Sequence, residues 1–196
     1  DTLLLSGLGN SNNYANRISD FQRVNINMGD GDHKHVQIHG GKVETTDITT
    51  GSKDDLVQIQ GDSLMEGRNS INTGAGEDIL EISNSKLNGI SDSEKTKIDT
   101  GADGDRVVIR NSTLKHAEII TNTGADTVDI EEGTVFSNST INTGEDDDIV
   151  NINANIEGTG NGNQSNIMTE GGKDEVNIAS GVTLTSTVIN TGAGEE

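Results

Sequence analysis

The chain has no cysteine, no proline and no tryptophan, and its 196 residues include one tyrosine and two phenylalanines. The missing cysteine excludes disulfides, thiol nucleophiles and cysteine-bound zinc. So little aromatic area removes the usual material of a compact globular core. Basic residues are also few. Thirteen Lys and Arg, scattered along the chain, face 33 Asp and Glu, giving a net charge of −20. A polyanion would be repelled, so nucleic acid is not an expected partner. No apolar run approaches the roughly 20 residues of a membrane-crossing helix, and membrane insertion is not expected. A sequence this charged and this poor in apolar residues stays disordered unless repetition or bound cations hold it.

Repetition is present along almost the whole chain. Residues 70–82, SINTGAGEDILEI, recur as KIDTGADGDRVVI at 97–109, TINTGEDDDIVNI at 140–152 and NIMTEGGKDEVNI at 166–178. DITTGSKDDLVQI at 47–59 is a weaker copy. ITNTGADTVDI at 120–130 reads as one residue short and INMGDGDHKHVQI at 26–38 as one residue long. Taking the Ile that opens each copy as marker (Ile26, Ile48, Ile71, Ile98, Ile120, Ile141, Ile167, Ile189), the mean period is about 23 residues. Such a period belongs to solenoids, in which each unit buries its apolar face only by stacking on the next.

Alternation divides each unit. Asp78-Ile79-Leu80-Glu81-Ile82 has the two-residue period of a strand, here strand A. A lone aliphatic follows in a polar setting and marks a short strand B: Val43, Leu64, Leu87, Leu114, Val135, Ile156 and Leu184. Strand C carries the marker Ile and runs into a Thr-Gly turn. Three short strands and three turns define one coil of an all-β parallel β-helix, right-handed by the chirality of parallel crossovers. The two longest units place their extra residues, near Gly89–Glu94 and Gly158–Gly162, in the corner between B and C. Residues 1–25 read as a partial coil with an irregular loop, and residues 26–196 as about seven coils of one continuous domain. Both ends cut through a unit, so the expectation is a segment of a longer array.

The Thr-Gly turn carries the chemistry. A carboxylate stands seven residues after the marker in six units: Asp55, Asp78, Asp105, Asp148, Asp174 and Glu196; Asp126 stands at six. Stacking turns these into a column at about 4.8 Å spacing, with further acids beside it at Asp54, Glu77, Asp103, Asp146 and Asp147. Carboxylates so close repel, and a cation is expected between them. Hard oxygen donors without cysteine and with four histidines favour Ca²⁺, several ions in all, about one per gap between coils. Gly74, Gly76, Gly101 and Gly144 permit turns that aim backbone carbonyls at such an ion.

Thr73 to Leu80 resembles the glycine-rich nonapeptide of the repeats-in-toxin family, with Thr73 in place of the first glycine, Gly74 and Gly76 at the next two, Asp78 at the aspartate and Leu80 at the apolar position. The resemblance implies a calcium-binding parallel β-roll of secreted bacterial proteins, with Ca²⁺ ligated by Asp78 and by Asp55, Asp105, Asp126, Asp148 and Asp174. The family's roll carries a motif on both sides of an 18-residue coil, whereas here one occurs per roughly 23 residues, so ions are expected along one edge only. The units also resemble the repeats of large bacterial adhesins and surface-layer proteins.

The expected function is therefore a calcium-stabilised structural segment, secreted or at the cell surface, acting as spacer or lattice element. Its partners would be calcium, further copies of itself or cell-surface glycans. A second reading is an ice-binding solenoid, which needs the Thr row (Thr50, Thr73, Thr100, Thr123, Thr143, Thr169, Thr191) to face outward. A third is a non-catalytic part of a polysaccharide-acting β-helix enzyme. The repeating aspartates themselves are expected to be structural and not catalytic. His33, His35 and His39 alternate with Val36 and Ile38 and are expected on an outer strand face.

Overall fold

A computed structural model describes residues 1–6, 20–160 and 163–192. Glu196, Tyr14 and most of the expected irregular loop lie outside them. The fold is an all-β parallel solenoid of three eight-stranded sheets. Sheet A runs from Thr2–Ser6 to Glu175–Ile178, sheet B from Asp20–Phe21 to Leu184–Thr185, and sheet C from Val24–Asn27 to Thr187–Asn190. Successive members of each sheet come from successive coils and pair in parallel. Residues 1–6 and 20–27 add a first coil to the seven that follow, with one strand in each sheet.

One coil shows how the sequence specifies this. Ile79–Ser83 in sheet A points Leu80 and Ile82 inward, Lys86–Asn88 in sheet B contributes Leu87, and Thr96–Asp99 in sheet C contributes Ile98. All four are fully buried, and each sits in register on the aliphatic of the next coil: Leu80 on Val107, Ile82 on Ile109, Leu87 on Leu114, Ile98 on Ile119. Stacks of like residues build one narrow core along the axis. Fully burying each such side chain is worth about 1.5–3 kcal/mol, which explains how a chain with so few aromatics folds.

The sheet pairings correct the sequence reading in two coils of sheet B. Leu87 pairs with Met65, not Leu64, and Leu114 pairs with Phe136, not Val135. Met65 and Phe136 are fully buried, while Leu64 is half-buried and Val135 is 45% exposed. An apolar neighbour on the outer face hid the true phase, because a two-residue period is ambiguous where both parities are apolar. Phe136→Ala is expected to cost about 3–5 kcal/mol through the cavity it leaves. Val135→Ala should change stability by no more than about 0.5 kcal/mol. Urea-unfolding midpoints of the two variants check this, and equal shifts would contradict the register.

Sheet C holds a third correction. Ile98 pairs with Ile119, which in turn pairs with Ile141, so the marker of that coil is Ile119 and Ile120 faces outward. Counted from Ile119, Asp126 falls at seven like its counterparts, and the apparently short copy has normal length. The two insertions lie in the B-to-C corner as expected, each closed by an antiparallel bridge, Ser91 to Glu94 and Gly160 to Asn163.

Candidate functional site

The turn from sheet C to sheet A has fixed stations. Two residues after the marker stands a buried threonine: Thr50, Thr73, Thr100, Thr121, Thr143 and Thr169. Thr121 takes the place expected of Thr123, which is exposed. At three residues the backbone is left-handed, with Gly74 at φ 107°, Gly101 at 105°, Asn122 at 69° and Gly144 at 102°. A Cβ on Gly101 would collide with the carbonyl oxygen of Gly74, so the stacking of turns, as well as the dihedral, calls for glycine there. At five residues Gly76, Asp103, Gly124 and Asp146 are also left-handed, a conformation aspartate tolerates better than most residues.

At seven residues comes the column. Asp55, Asp78, Asp105, Asp126 and Asp148 are almost completely buried, and Asp174 is half-buried. The column the sequence called for exists, and it points inward. Each carboxylate accepts, at Oδ1, the backbone N–H of the column residue one coil earlier. Lys34 donates to Asp55 at 2.6 Å, Asp55 to Asp78 at 2.7 Å and Asp78 to Asp105 at 2.8 Å. Asp105 donates to Asp126 at 2.6 Å, Asp126 to Asp148 at 2.9 Å and Asp148 to Asp174 at 3.0 Å. A backbone amide thus meets one oxygen of every pair, a partner that spacing in the sequence does not reveal. Oδ2 of all six aspartates is buried without a hydrogen-bond partner.

A half-satisfied carboxylate away from water resists ionisation. Burial pushes Asp78 and Asp126 up to about 6 and Asp105 up to about 7, and it raises Asp148 as well. The neighbouring hydroxyls of Thr73, Thr121, Thr100 and Thr143 and the donated amides offset part of this, while adjacent carboxylates add to it. The hydroxyls of Thr50, Thr73 and Thr121 direct their one O–H across coils to the carbonyls of Thr73, Thr100 and Thr143, which leaves Oδ2 of Asp78 and Asp126 without a donor. Of the row, Thr50, Thr73, Thr100, Thr143 and Thr169 are buried and only Thr123 and Thr191 are exposed, so the described threonines do not form the continuous outward ladder that an ice-binding face requires.

Outside the column the turn is an acidic edge. Asp54 accepts the amide of Glu77 at 3.1 Å, Asp103 that of Gly76 at 3.2 Å, Asp146 that of Gly124 at 3.1 Å and Asp147 that of Lys173 at 2.8 Å. These side chains are exposed, as is Glu77. Among the described residues no group of three or more His, Asp or Glu side chains converges to hold a metal ion. An ion at this edge would draw on fewer than three of these carboxylates, with backbone carbonyls and water completing its shell.

Two other features lie apart from the column. His33 and His39 are exposed and His35 is half-buried, while Val36 and Ile38 between them are buried. His35 contacts Gln58 at 3.0 Å in a polar ladder on the outer face of sheet A. On the A-to-B corner an open groove of about 950 Å³ is lined by Arg110, Glu131, Glu132, Asn155 and Glu157, among others. It forms where the corner between Ile152 and Ile156 is shorter than that between Ile130 and Phe136.

The fold and this turn define a class: a parallel β-solenoid repeat protein with an internal aspartate column behind an acidic edge. Neither a scan against protein-family models nor a search of curated proteins or of solved structures finds a match to the chain.

Proposed function

We propose that the chain is a structural, non-catalytic segment of an extracellular bacterial surface protein, of adhesin, surface-layer or filament type, whose solenoid is consolidated by Ca²⁺. The observation that carries this reading is the set of six buried aspartate oxygens without partners, repeated at every turn of one edge. Each leaves a formal charge or a proton where water does not reach, and a hard divalent ion relieves both conditions. The repeats-in-toxin resemblance of Thr73 to Leu80 supports the same choice of ion.

In this reading the sequence folds where calcium is abundant. With little Ca²⁺ the charges of column and edge oppose stacking and favour the extended chain, a form suited to export. Near-millimolar Ca²⁺ outside the cell binds the folded coils and not the unfolded chain, so binding free energy becomes folding free energy. The finished rod holds whatever flanks it at a set distance and presents polar faces to neighbouring copies or glycans.

A circular dichroism titration at pH 7.5 tests this. The strand signal is expected to rise on adding Ca²⁺ to chelated protein and to fall again with excess chelator. A spectrum and melting temperature indifferent to both would remove calcium from the reading.

A further inference from the structure

The column position is aspartate in six successive coils and lysine in the coil before them. Lys34 occupies the station of Asp55: its amide donates to Asp55 Oδ1, and its carbonyl accepts the amide of Leu56 at 2.9 Å. Its side chain is only 4% exposed. Nζ lies 3.3 Å from Asp1 Oδ2, and a Cβ placed on Gly31, five residues after the marker Ile26, would approach Nζ to 2.9 Å. The ammonium therefore sits beneath the turn, at the edge where later coils gather carboxylates. Asp54 lines the same surface hollow as Asp1 and Lys34, and Asp30 and Asp32 flank Gly31 along the chain.

Burying an ammonium is costly without negative partners, so its place beside Asp1 and next to the column is informative. A tethered cation needs no capture from solution, and its effect does not depend on ion concentration. We infer that Lys34 is a built-in cation for this end of the column, which keeps the first coils stacked when divalent ions are absent. The later coils, with aspartate at every station, need an added cation or protons. Only that statement about the later coils rests on the calcium reading.

Amide hydrogen exchange of the whole chain in excess chelator at pH 7.5 tests the inference. In the unaltered protein, strands His35–His39 and Leu56–Gln60 are expected to stay more protected than Thr127–Ile130 and Ile149–Ile152. Lys34→Met keeps an apolar stem and removes the charge, and should lower protection of the first pair by about tenfold or more. Lys34→Arg keeps the charge and should retain it. With saturating Ca²⁺, Lys34→Met should still show protected strands from coil four onward, which separates loss of the cation from general misfolding. The inference is overturned if the first pair is unprotected in chelator, if Lys34→Met leaves it unchanged, or if Lys34→Arg loses as much as Lys34→Met. If Ca²⁺ alters no strand in any variant, the calcium reading fails, while the comparison of Met with Arg in chelator still decides the role of the lysine.

Discussion

In ion-free protein the protonated forms of Asp78, Asp126 and Asp105 are expected to stabilise the fold fully below about 3.8, and that contribution is lost as the pH rises through about 6 and then about 7, where they ionise in the folded state. The sign follows from the raised values. Below 3.8, the ordinary value of these carboxyls, folded and unfolded chains both carry the proton. Between there and about 7 the folded chain binds more protons than the unfolded one, so stability falls with rising pH, and above that range it levels off. Each of these groups contributes on the order of 3 kcal/mol to the fall. Most proteins lose stability on acidification because their carboxylates are paired when folded. Here the strongly buried carboxyls are only half satisfied, and the slope reverses. Urea unfolding in chelator at several pH values between 4.5 and 8 checks this, and stability that climbed steadily with pH would contradict it. Calcium at the alkaline end should flatten the profile in the proposed reading.

Asp105→Asn should stabilise the ion-free protein at pH 8 by on the order of 2–3 kcal/mol, an uncommon sign for a buried substitution. The carboxamide oxygen can still accept the amide of Asp78, which Asp105 Oδ1 accepts at 2.8 Å, and the charge is gone. The amide nitrogen has an acceptor nearby in the hydroxyl of Thr100, which otherwise lacks a partner. Saturating Ca²⁺ should reverse the ranking, because the variant loses a ligand oxygen. Asp105→Ala is the control. It strands the Asp78 amide and opens space, and should destabilise in both conditions. Chemical unfolding of the three proteins with and without Ca²⁺ gives the comparison, and Asp105→Asn less stable than the parent in chelator at pH 8 would count against a charged column.

The architecture was legible because its cause is repetition. A two-residue period in each strand A and one marker Ile per unit were enough to give three parallel sheets and to put the insertions in the B-to-C corner. What escaped was phase where two adjacent residues are both apolar. Leu64-Met65, Val135-Phe136 and Ile119-Ile120 each offer two candidates for one inward station, and only stacking against the next coil decides between them. The marker error at Ile120 propagated, making Asp126 look displaced and naming Thr123 where Thr121 belongs.

The column itself could be read from the recurring aspartate, and its inward aim follows from parity with the apolar residue two positions on, as Asp78 with Leu80. The amide partners could not be read, because a backbone donor leaves no trace in residue type. Lys34 was missed for a related reason. The unit at 26–38 is one residue long, so a count of seven from Ile26 falls on His33 and passes over the lysine. Counting backward from Asp55 along the strand, with His35 matched to Leu56, would have found it.

Carbon-detected NMR titration of the aspartate carboxyls in ion-free protein examines the column at its source. Midpoints near 6 for Asp78 and Asp126 and near 7 for Asp105 are expected, moving sharply downward when Ca²⁺ is present. Midpoints near 3.8 for all three, unchanged by Ca²⁺, would contradict a buried column that must be neutralised before the coils can stack.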